Sequence, residues 1–273
     1  MLFRHRTSRL QFQPPRRGEE LIRFEHLRKS FGPKHVFDDL ELSVYAGETL
    51  TVIGGSGTGK SVLLKCLIGL LRPDAGRILF EGQDLTGFRE EDFIDVRRHV
   101  AMVFQGAALF DSLTVGENIA YPLREHFPDM PPEELRERVA RKLALVNLPG
   151  IEDMRPADLS GGMKKRVGLA RAIATDPEVI LWDEPTTGLD PVTTETINQM
   201  IRSMQQQLGC TSIVVTHDMV SAFSLSDRIA MLANRRIAQV GTPEEMRAST
   251  VPEVRAFLDA RRHELRTQEE VAR

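Results

Sequence analysis

Residues 54–61 read Gly54-Gly55-Ser56-Gly57-Thr58-Gly59-Lys60-Ser61, and this stretch decides the fold. It fits the pattern G-x-x-x-x-G-K-[ST], in which glycines let main-chain N–H groups approach phosphate oxygens, the lysine neutralises them and the serine hydroxyl reaches Mg²⁺. An apolar run, 49–53, precedes the motif, and a helical pattern, 62–71, follows it. A strand, this loop and a helix in that order predict a phosphate-binding α/β domain rather than a chance glycine-rich turn.

The composition is that of an ordinary soluble protein. Of 273 residues, 41% are hydrophobic and 27% are charged, and the mean hydropathy is −0.24. This length predicts one large domain with a sizeable subdomain. The longest mostly apolar stretch, 61–71, is far shorter than the roughly 20 residues that span a bilayer. Residues 1–12 carry arginines without the apolar core of a secretory signal, so we expect the protein in the cytoplasm.

The charge balance argues against nucleic acid as a partner. The net charge is −3 and the pI is about 6.2, whereas nucleic-acid binding usually needs a basic face or stripe. The two cysteines, Cys66 and Cys210, have no paired spacing for zinc or a redox couple, and both lie in apolar surroundings. We expect them to be unreactive core thiols.

Short apolar runs around the loop predict strands. Residues 1–20 have several arginines and little hydrophobic periodicity, which predicts a flexible basic arm. The runs 21–24 and 40–44 alternate apolar with polar residues, as half-exposed antiparallel strands do. Residues 76–80 are typical of another strand, and residues 100–104 are typical of a buried one.

The pattern becomes helical in the middle of the chain. Thr114 and Glu117 form a capping box, and apolar residues then recur at spacings of three to four. Further on, strands are predicted at 178–182, 211–216 and 228–232, with a helix ended by Gly209 between the first two. Strands that alternate with helices indicate a parallel sheet.

These patterns divide the chain into three parts. We assign a basic arm to 1–20, a nucleotide-binding domain to 21–260 with a helical insert at about 106–175, and a polar tail to 261–273. The domain closes with a helix that starts at the capping box of Thr242. The predicted fold class is α/β, with a parallel core sheet, an antiparallel β subdomain and an inserted α-helical subdomain.

Two carboxylates follow the apolar run 179–182, namely Asp183 and Glu184. At the end of a buried strand, Asp183 suits a ligand for Mg²⁺ together with Ser61, and Glu184 suits the base that faces an attacking water. Trp182, the only tryptophan, is expected to be a packed strand residue rather than a ligand.

Six motifs in this order resemble the ATP-binding subunits of ABC transporters, over about residues 21–248. They are the phosphate loop, Gln105, the Leu-Ser-Gly-Gly-Met sequence at 159–163, Asp183-Glu184, Gly188-Leu189-Asp190 and His217. Any one of them occurs in other nucleotide-binding proteins, but the complete set in this spacing is specific. The resemblance implies a P-loop NTPase fold of the ABC cassette type, with ATP as substrate and Mg²⁺ as cofactor.

The resemblance also implies a homodimer that encloses two ATP molecules. Each ATP would be held by residues 54–61 of one chain and by Ser160, Gly161 and Gly162 of the other, where the N-terminus of a helix points at the γ-phosphate. By the same analogy, Asp190 would cross the dimer interface.

Further roles come from the same resemblance. Phe31 would stack on adenine, with Tyr45 as the lesser candidate, Gln105 would contact Mg²⁺ and the attacking water, and His217 would hold the γ-phosphate. Each has a competing interpretation: Phe31 as a core residue, Gln105 as the end of a strand, and His217 as a structural histidine. The setting Ser30-Phe31-Gly32 favours the stacking role of Phe31, and positions relative to Asp183 favour the functional roles of Gln105 and His217.

Local segments narrow the family further. The signature ends in Met163 rather than the commoner glutamine, and together with the segments 106–115 and 118–126 it is similar to the Mla-type, MCE-associated lipid-transport ATPases, although Ala108 departs from their pattern. This resemblance implies a dimer beneath two copies of a membrane permease, on the cytoplasmic face of the bacterial inner membrane. A periplasmic MCE-type lipid-binding protein would handle phospholipid between the inner and outer membranes.

Residues 107–126 are the predicted permease contact, with plain packing of the helical insert as the competing interpretation. The ATPase of a polar amino acid or other small-solute importer would share every catalytic residue. A soluble ABC ATPase of DNA repair, translation or cluster assembly is disfavoured because the chain has one cassette, no coiled-coil insertion, no basic stripe and no metal-binding cysteine set. A catalytically dead regulatory cassette is disfavoured because the whole catalytic set is present, so we predict active hydrolysis.

Overall fold

A computed structural model describes residues 16–260, which form two β-sheets flanked by helices. The predicted tail 261–273 and residues 1–15 of the predicted arm lie outside the described residues. In chain order the strands are β1 (Glu20–Phe31), β2 (Lys34–Tyr45), β3 (Thr49–Ile53), β4 (Ala75–Phe80), β5 (Gln83–Asp84), β6 (Val100–Val103), β7 (Val179–Asp183), β8 (Thr211–Thr216), β9 (Arg228–Ala233) and β10 (Arg236–Gly241).

The helices fall between and after these strands. In chain order they are α1 (Lys60–Leu67), α2 (Glu90–His99), α3 (Val115–His126), α4 (Pro132–Leu145), α5 (Gly161–Ala172), α6 (Pro191–Leu208), α7 (Met219–Leu225) and α8 (Pro243–Arg247). A short 3-10 helix, Pro156–Asp158, precedes α5, and residues 252–260 are also helical.

The central sheet has the strand order β10-β9-β3-β8-β7-β6. Its neighbouring strands are parallel except for β10, which pairs antiparallel with β9 at one edge. Every residue of β3, β7 and β8 is buried, because layers cover both faces of the sheet. The predicted α/β fold with a parallel core sheet is therefore confirmed, with one antiparallel edge strand added.

The second sheet is antiparallel, in the order β2-β1-β4-β5. Buried and exposed residues alternate along much of β1 and β2, as predicted for half-exposed strands. Their inward side chains share one apolar cluster with α1 and one face of the central sheet. This packing fixes the phosphate loop between the two sheets.

The other face of the central sheet is covered by helices α3 to α6. Their apolar residues form a second cluster with Trp182 of β7, whose indole is 1% exposed and donates from Nε1 to Ser212 Oγ at 3.2 Å. The prediction of Trp182 as a packed strand residue is thus confirmed. The capping box predicted at Thr114 and Glu117 is present at the start of α3.

Three features of the fold differ from the sequence prediction: the burial of one strand and the extents of two helices. Strand β6 was expected to be buried, but it is the edge strand of the sheet, and only Val100 is fully buried. Helix α1 ends at Leu67 rather than residue 71, because Gly69 takes a left-handed φ of 72° and breaks the helical hydrogen bonds. The closing helix is interrupted: α8 ends at Arg247, and a separate helical segment starts at Pro252.

The predicted basic arm also ends earlier than expected. Strand β1 begins at Glu20, inside the span 1–20, and the Gly18 N–H donates to the Ala46 carbonyl at 2.9 Å. These main-chain bonds attach the last residues of the predicted arm to the folded part of the chain.

Candidate active site

Parallel strands deliver the predicted site residues to one edge of the central sheet. The phosphate loop follows β3, His217 follows β8, and Asp183 ends β7 with Glu184 directly after it. Gln105 follows the edge strand β6 by two residues. Because these four strands are neighbours and parallel, their carboxyl ends meet at one edge, where ligands bind in open α/β sheets.

The phosphate loop depends on glycine at its closest packing point. Gly59 has a φ of 109°, and a Cβ there would lie 2.3 Å from Val36 Cγ1, so no other residue fits without movement. Thr58 stabilises the turn by donating from N and Oγ1 to the Gly55 carbonyl. Helix α1 starts at Lys60, so its free N–H groups face the loop.

Lys60 lies inside this loop with 6% of its surface exposed. Its Nζ donates to the carbonyls of Gly54 at 3.0 Å and Gly55 at 3.1 Å, and lies 3.7 Å from Glu184 Oε1. The ammonium is therefore held between the phosphate loop and the predicted base. In that position it can neutralise a phosphate oxygen with little reorganisation.

Ser61 and Asp183 meet across the site. Ser61 Oγ donates to Asp183 Oδ1 at 2.6 Å, and Asp183 is 7% exposed. A hydroxyl and a carboxylate oxygen side by side are the hard donors that Mg²⁺ prefers, and Mg²⁺ is usually held by few protein ligands plus phosphate oxygens. The residues present therefore fit a magnesium ion bound with a nucleotide.

Glu184 is held by a set of donors around its carboxylate. Its Oε2 accepts from Thr187 Oγ1 at 3.1 Å and lies 2.8 Å from His217 Nδ1, and 14% of the side chain is exposed. The backbone takes a left-handed φ of 51°, and its N–H donates to the Val215 carbonyl of β8. Non-glycine residues in this conformation concentrate at functional sites. The carboxylate faces the nucleotide cavity in an orientation suited to accept a proton.

These groups line one cavity of about 410 Å³. The predicted residues around it are Phe31, Ser56, Gly57, Gly59, Lys60, Ser61, Gln105, Glu184 and His217. The structure thus brings together the loop, the base, the histidine and the aromatic ring. Lys34 and Val36 line the cavity as well. Neither was predicted from the sequence, because neither belongs to a motif and only the pairing of β1 with β2 places them there.

Phe31 is the better placed of the two aromatic candidates. Its side chain lines the cavity and is 45% exposed, with Lys29 Nζ 5.2 Å from the ring centroid. Tyr45 does not line the cavity, and its ring lies 4.8 Å from the Arg228 guanidinium. An exposed ring beside the phosphate loop can stack on a base, whereas Tyr45 lines a different cavity that contains no residue of the phosphate loop.

The signature turn and Asp190 lie away from this cavity. Ser160 is exposed and caps α5, with Oγ accepting from Met163 N at 3.2 Å, and Gly161 is exposed beside it. Asp190 is exposed and caps α6 by accepting from the N–H groups of Val192 and Thr193. Hydrogen bonds from Thr193 hold the pKa of Asp190 below its usual value. The chain does not bring either group to its own phosphate loop.

Thr187 is a site residue that the sequence analysis missed. Its hydroxyl bonds the Glu184 carboxylate, and its carbonyl accepts from Lys165 Nζ at 2.7 Å. Nothing in the sequence marks it beyond its place three residues after Glu184. The contact depends on the turn that the loop makes, which no local pattern specifies.

The cysteines take no part in the site. Burial raises the pKa of Cys66 to about 12 and that of Cys210 to about 11, which confirms unreactive core thiols.

Within residues 16–260 there is no group of three or more His, Cys, Asp and Glu side chains that could hold a metal. In the same range no helix has the length and apolar character needed to cross a bilayer.

Comparisons with known proteins place this geometry in a family. Residues 37–187 match the family described as ABC transporter. The chain is 41% identical over 261 residues to "Probable ribonucleotide transport ATP-binding protein mkl" of Mycobacterium tuberculosis, which covers 94% of this chain and 72% of that protein. It is 39% identical over 228 residues to "Intermembrane phospholipid transport system ATP-binding protein MlaF" of Escherichia coli, which covers 84% of each.

A solved structure gives the same result for the fold. The dimeric, ADP- and Pi-bound structure of the ATP-binding cassette MJ0796 superposes with a TM-score of 0.75 at 30% identity. The match covers 82% of this chain and 99% of the cassette. The architecture is therefore that of an ATP-binding cassette.

Proposed function

Because the chain belongs to the ABC transporter family and is an ATPase of that family, we propose that it powers phospholipid transport between the inner and outer membranes. The observation that supports this cargo is the similarity to MlaF along most of both chains. Glu184, Lys60 and Ser61 line one cavity, and Ser61 contacts Asp183; these four residues supply the chemistry.

The residues around the cavity support a division of labour in hydrolysis. Main-chain N–H groups of the phosphate loop and Lys60 bind the β- and γ-phosphates, and Phe31 stacks on adenine. Glu184 accepts a proton from the attacking water, while His217 and Thr187 fix its carboxylate. Gln105 lies at the cavity edge, where it can orient that water.

Ser61 and Asp183 are the residues that would hold Mg²⁺, with Gln105 as a further ligand. The fit rests on the 2.6 Å contact between the hydroxyl and the carboxylate. Bound with ATP, the ion supplies charge neutralisation on the phosphate oxygens. The protein contributes a fixed pair of oxygen ligands at the start of α1 and the end of β7.

We infer a homodimer from the exposed signature turn. Ser160, Gly161 and Gly162 would contact ATP held by the phosphate loop of the partner chain, and Asp190 would lie at the interface. Their exposure in a single chain supports this arrangement, since a capped helix N-terminus with a free face is suited to bind a phosphate from outside. The MJ0796 cassette, similar in fold, is dimeric.

The proposed permease contact lies on residues 107–126. Phe110 and Tyr121 are 42% and 45% exposed, and their ring centroids are 4.9 Å apart. Exposed aromatic rings of this kind are enriched at protein interfaces. The chain would then lie on the cytoplasmic face of the bacterial inner membrane as a peripheral subunit, with an MCE-type periplasmic protein completing the complex.

A second candidate cargo is favoured by one specific observation. The mkl relative is named for ribonucleotide transport and is as similar in sequence as MlaF, so a small-solute importer shares the support from the catalytic residues. The names of the two relatives differ in cargo, so the catalytic residues alone cannot separate the two transport functions. Partners and bound lipid, rather than ATPase activity, decide between them.

The experiment uses the native membrane complex. The Glu184→Gln chain is tagged, extracted from its own membranes in mild detergent with ATP, and its co-purifying proteins and lipids are identified by mass spectrometry. We expect a permease, an MCE-type protein and phospholipid in fixed ratio. A permease with a solute-binding protein would instead establish the small-solute importer, and the absence of any membrane partner would overturn both proposals in favour of a soluble ATPase.

A further inference from the structure

Three cationic side chains of α5 each reach a separate loop. Lys165 Nζ donates to the carbonyls of Pro185 at 3.3 Å and Thr187 at 2.7 Å. Arg166 Nη1 donates to two carbonyls at residues 146–147, and Arg171 donates to two carbonyls at residues 107–108. Each cation therefore ties one turn of the same helix to a pair of main-chain oxygens.

Of these three, Lys165 has a direct route to the predicted base. The carbonyl of Thr187 accepts from Lys165, and the hydroxyl of Thr187 donates to Glu184 Oε2 at 3.1 Å. Two hydrogen bonds and one residue thus separate the ammonium from the carboxylate. Burial lowers the pKa of Lys165, consistent with an ammonium that sits in a partly desolvated position between α5 and this loop.

The same helix begins at the signature turn. Ser160 caps α5, and Lys165 lies five residues further along the chain. Helix α5 is a rigid rod at this length, so displacement of its first turn moves Lys165 with it. The loop that carries Thr187 also leads to Asp190, the cap of α6.

We propose that Lys165 is a positioning residue that couples ATP bound at the signature turn of α5 to the orientation of Glu184 in the same chain's own site. This inference rests on the proposed paired-cassette arrangement, in which Ser160 touches the ATP held by the partner chain. A chain whose α5 is engaged by that ATP holds Thr187, and through it the Glu184 carboxylate, in the orientation for proton transfer. ATP bound at one site then favours the reactive orientation of Glu184 at the other site, so hydrolysis is cooperative.

Arg166 provides the matched control. It is the next residue of α5 and also donates to two main-chain carbonyls, but its loop, residues 146–147, does not line the nucleotide cavity. If α5 cations only anchored the helix, Lys165→Met and Arg166→Met would have the same effect. If Lys165 positions the base, only the Lys165 variant changes catalysis.

The test measures ATPase kinetics of the full chain for Lys165→Met, Lys165→Arg and Arg166→Met. Because misplacement of a reacting group can cost up to about 100-fold in rate, we expect Lys165→Met to lower kcat about tenfold while KM stays within about twofold. The Hill coefficient for ATP should fall toward one. Lys165→Arg should restore most of kcat, since a cation again reaches the carbonyls, and Arg166→Met should match the wild type.

A second variant keeps the test valid if Lys165→Met fails to fold. Thr187→Val removes the hydroxyl that bonds Glu184 but keeps the shape of the side chain, and it should also lower kcat at unchanged KM. Wild-type kinetics in Lys165→Met, or an equal loss in Arg166→Met, would overturn the inference. If Lys165→Met does not fold, wild-type kinetics in Thr187→Val would overturn it.

The failure of this inference is distinct from the failure of the dimer. If the Glu184→Gln chain does not dimerise with ATP, the paired-cassette proposal and this inference fall together. If it does dimerise and Lys165→Met still turns over at the wild-type rate with unchanged cooperativity, only the role of Lys165 is wrong.

Discussion

Glu184 combines an uncommon backbone conformation with a carboxylate that Thr187 and His217 contact at Oε2. A φ of 51° in a residue with a Cβ costs on the order of 1–3 kcal/mol, and the contacts from Thr187, His217 and the Val215 carbonyl offset it. The position of Glu184 was predictable from its place after an apolar strand, and its role as the base is a proposal. The sequence could not predict the contact with Thr187, because a hydroxyl and a carboxylate three residues apart meet only in one particular turn.

A pH prediction at the residue scale concerns His126 at the end of α3. Burial, followed by the charge of Arg98, holds the pKa of His126 below 6.5 in the folded protein. The unfolded state then binds more protons than the folded state below pH 6.5. The stability from the neutral ring is present above that pH and is lost as the pH falls through the folded pKa.

His126→Gln should remove this dependence. We expect the thermal midpoint of the wild type to fall more between about pH 7.5 and about pH 5.5 than that of the variant. Only the wild type has a buried imidazole whose protonation is less favourable in the folded state than in the unfolded state. Thermal unfolding followed by circular dichroism at the two pH values measures the difference. An equal fall in both proteins would contradict the assignment.

At the scale of elements, α5 is packed against the loop that follows Gln105. Gly168 lies where a Cβ would be 2.9 Å from the Ala107 carbonyl oxygen, and Arg171 donates to the carbonyls of Ala107 and Ala108. Ala108 itself has a φ of 48°. Ala108, where the sequence departs from the Mla-type pattern, therefore lies in a loop whose backbone contacts both Gly168 and Arg171 of α5.

Gly168→Ala tests this close approach. Alanine in place of a helical glycine gains about 1 kcal/mol of helix propensity, whereas overpacking against a main-chain oxygen costs about 1–3 kcal/mol. Because the oxygen belongs to backbone and cannot rotate away, we expect net destabilisation and a lower thermal midpoint. Gly87→Ala, where no atom lies within 4 Å of the added Cβ, is the control and should not lower it. A variant more stable than the wild type would show that the loop moves freely.

Element prediction succeeded where the signal was local and failed where it was not. The mostly apolar runs of β3 and β7 and the capping box at Thr114 are properties of a few adjacent residues, so the sequence indicated them correctly. The edge position of β6 depends on which strand forms the rim of the sheet, which its own residues do not specify. The early end of α1 at Gly69 was readable in principle from that glycine.

Across the whole molecule, the predicted ATP-contacting residues fall into two separate groups. The cavity holds the phosphate loop, the base and the aromatic ring, while Ser160 and Asp190 cap exposed helices elsewhere on the chain. The family resemblance implied that Ser160 and Asp190 act toward a partner chain. Their positions away from the cavity agree with that expectation. Where the partner lies relative to this chain is a matter of assembly, which no pattern within one chain specifies.

The mass of the Glu184→Gln protein in ATP shows whether two chains enclose ATP between the phosphate loop of one and the signature turn of the other. Turnover should be lost about 10²-fold or more because the base is gone, so ATP persists in the site. Light scattering during gel filtration should give twice the 30.7 kDa of one chain with ATP and a single chain's mass without it. A monomer in saturating ATP would contradict the account.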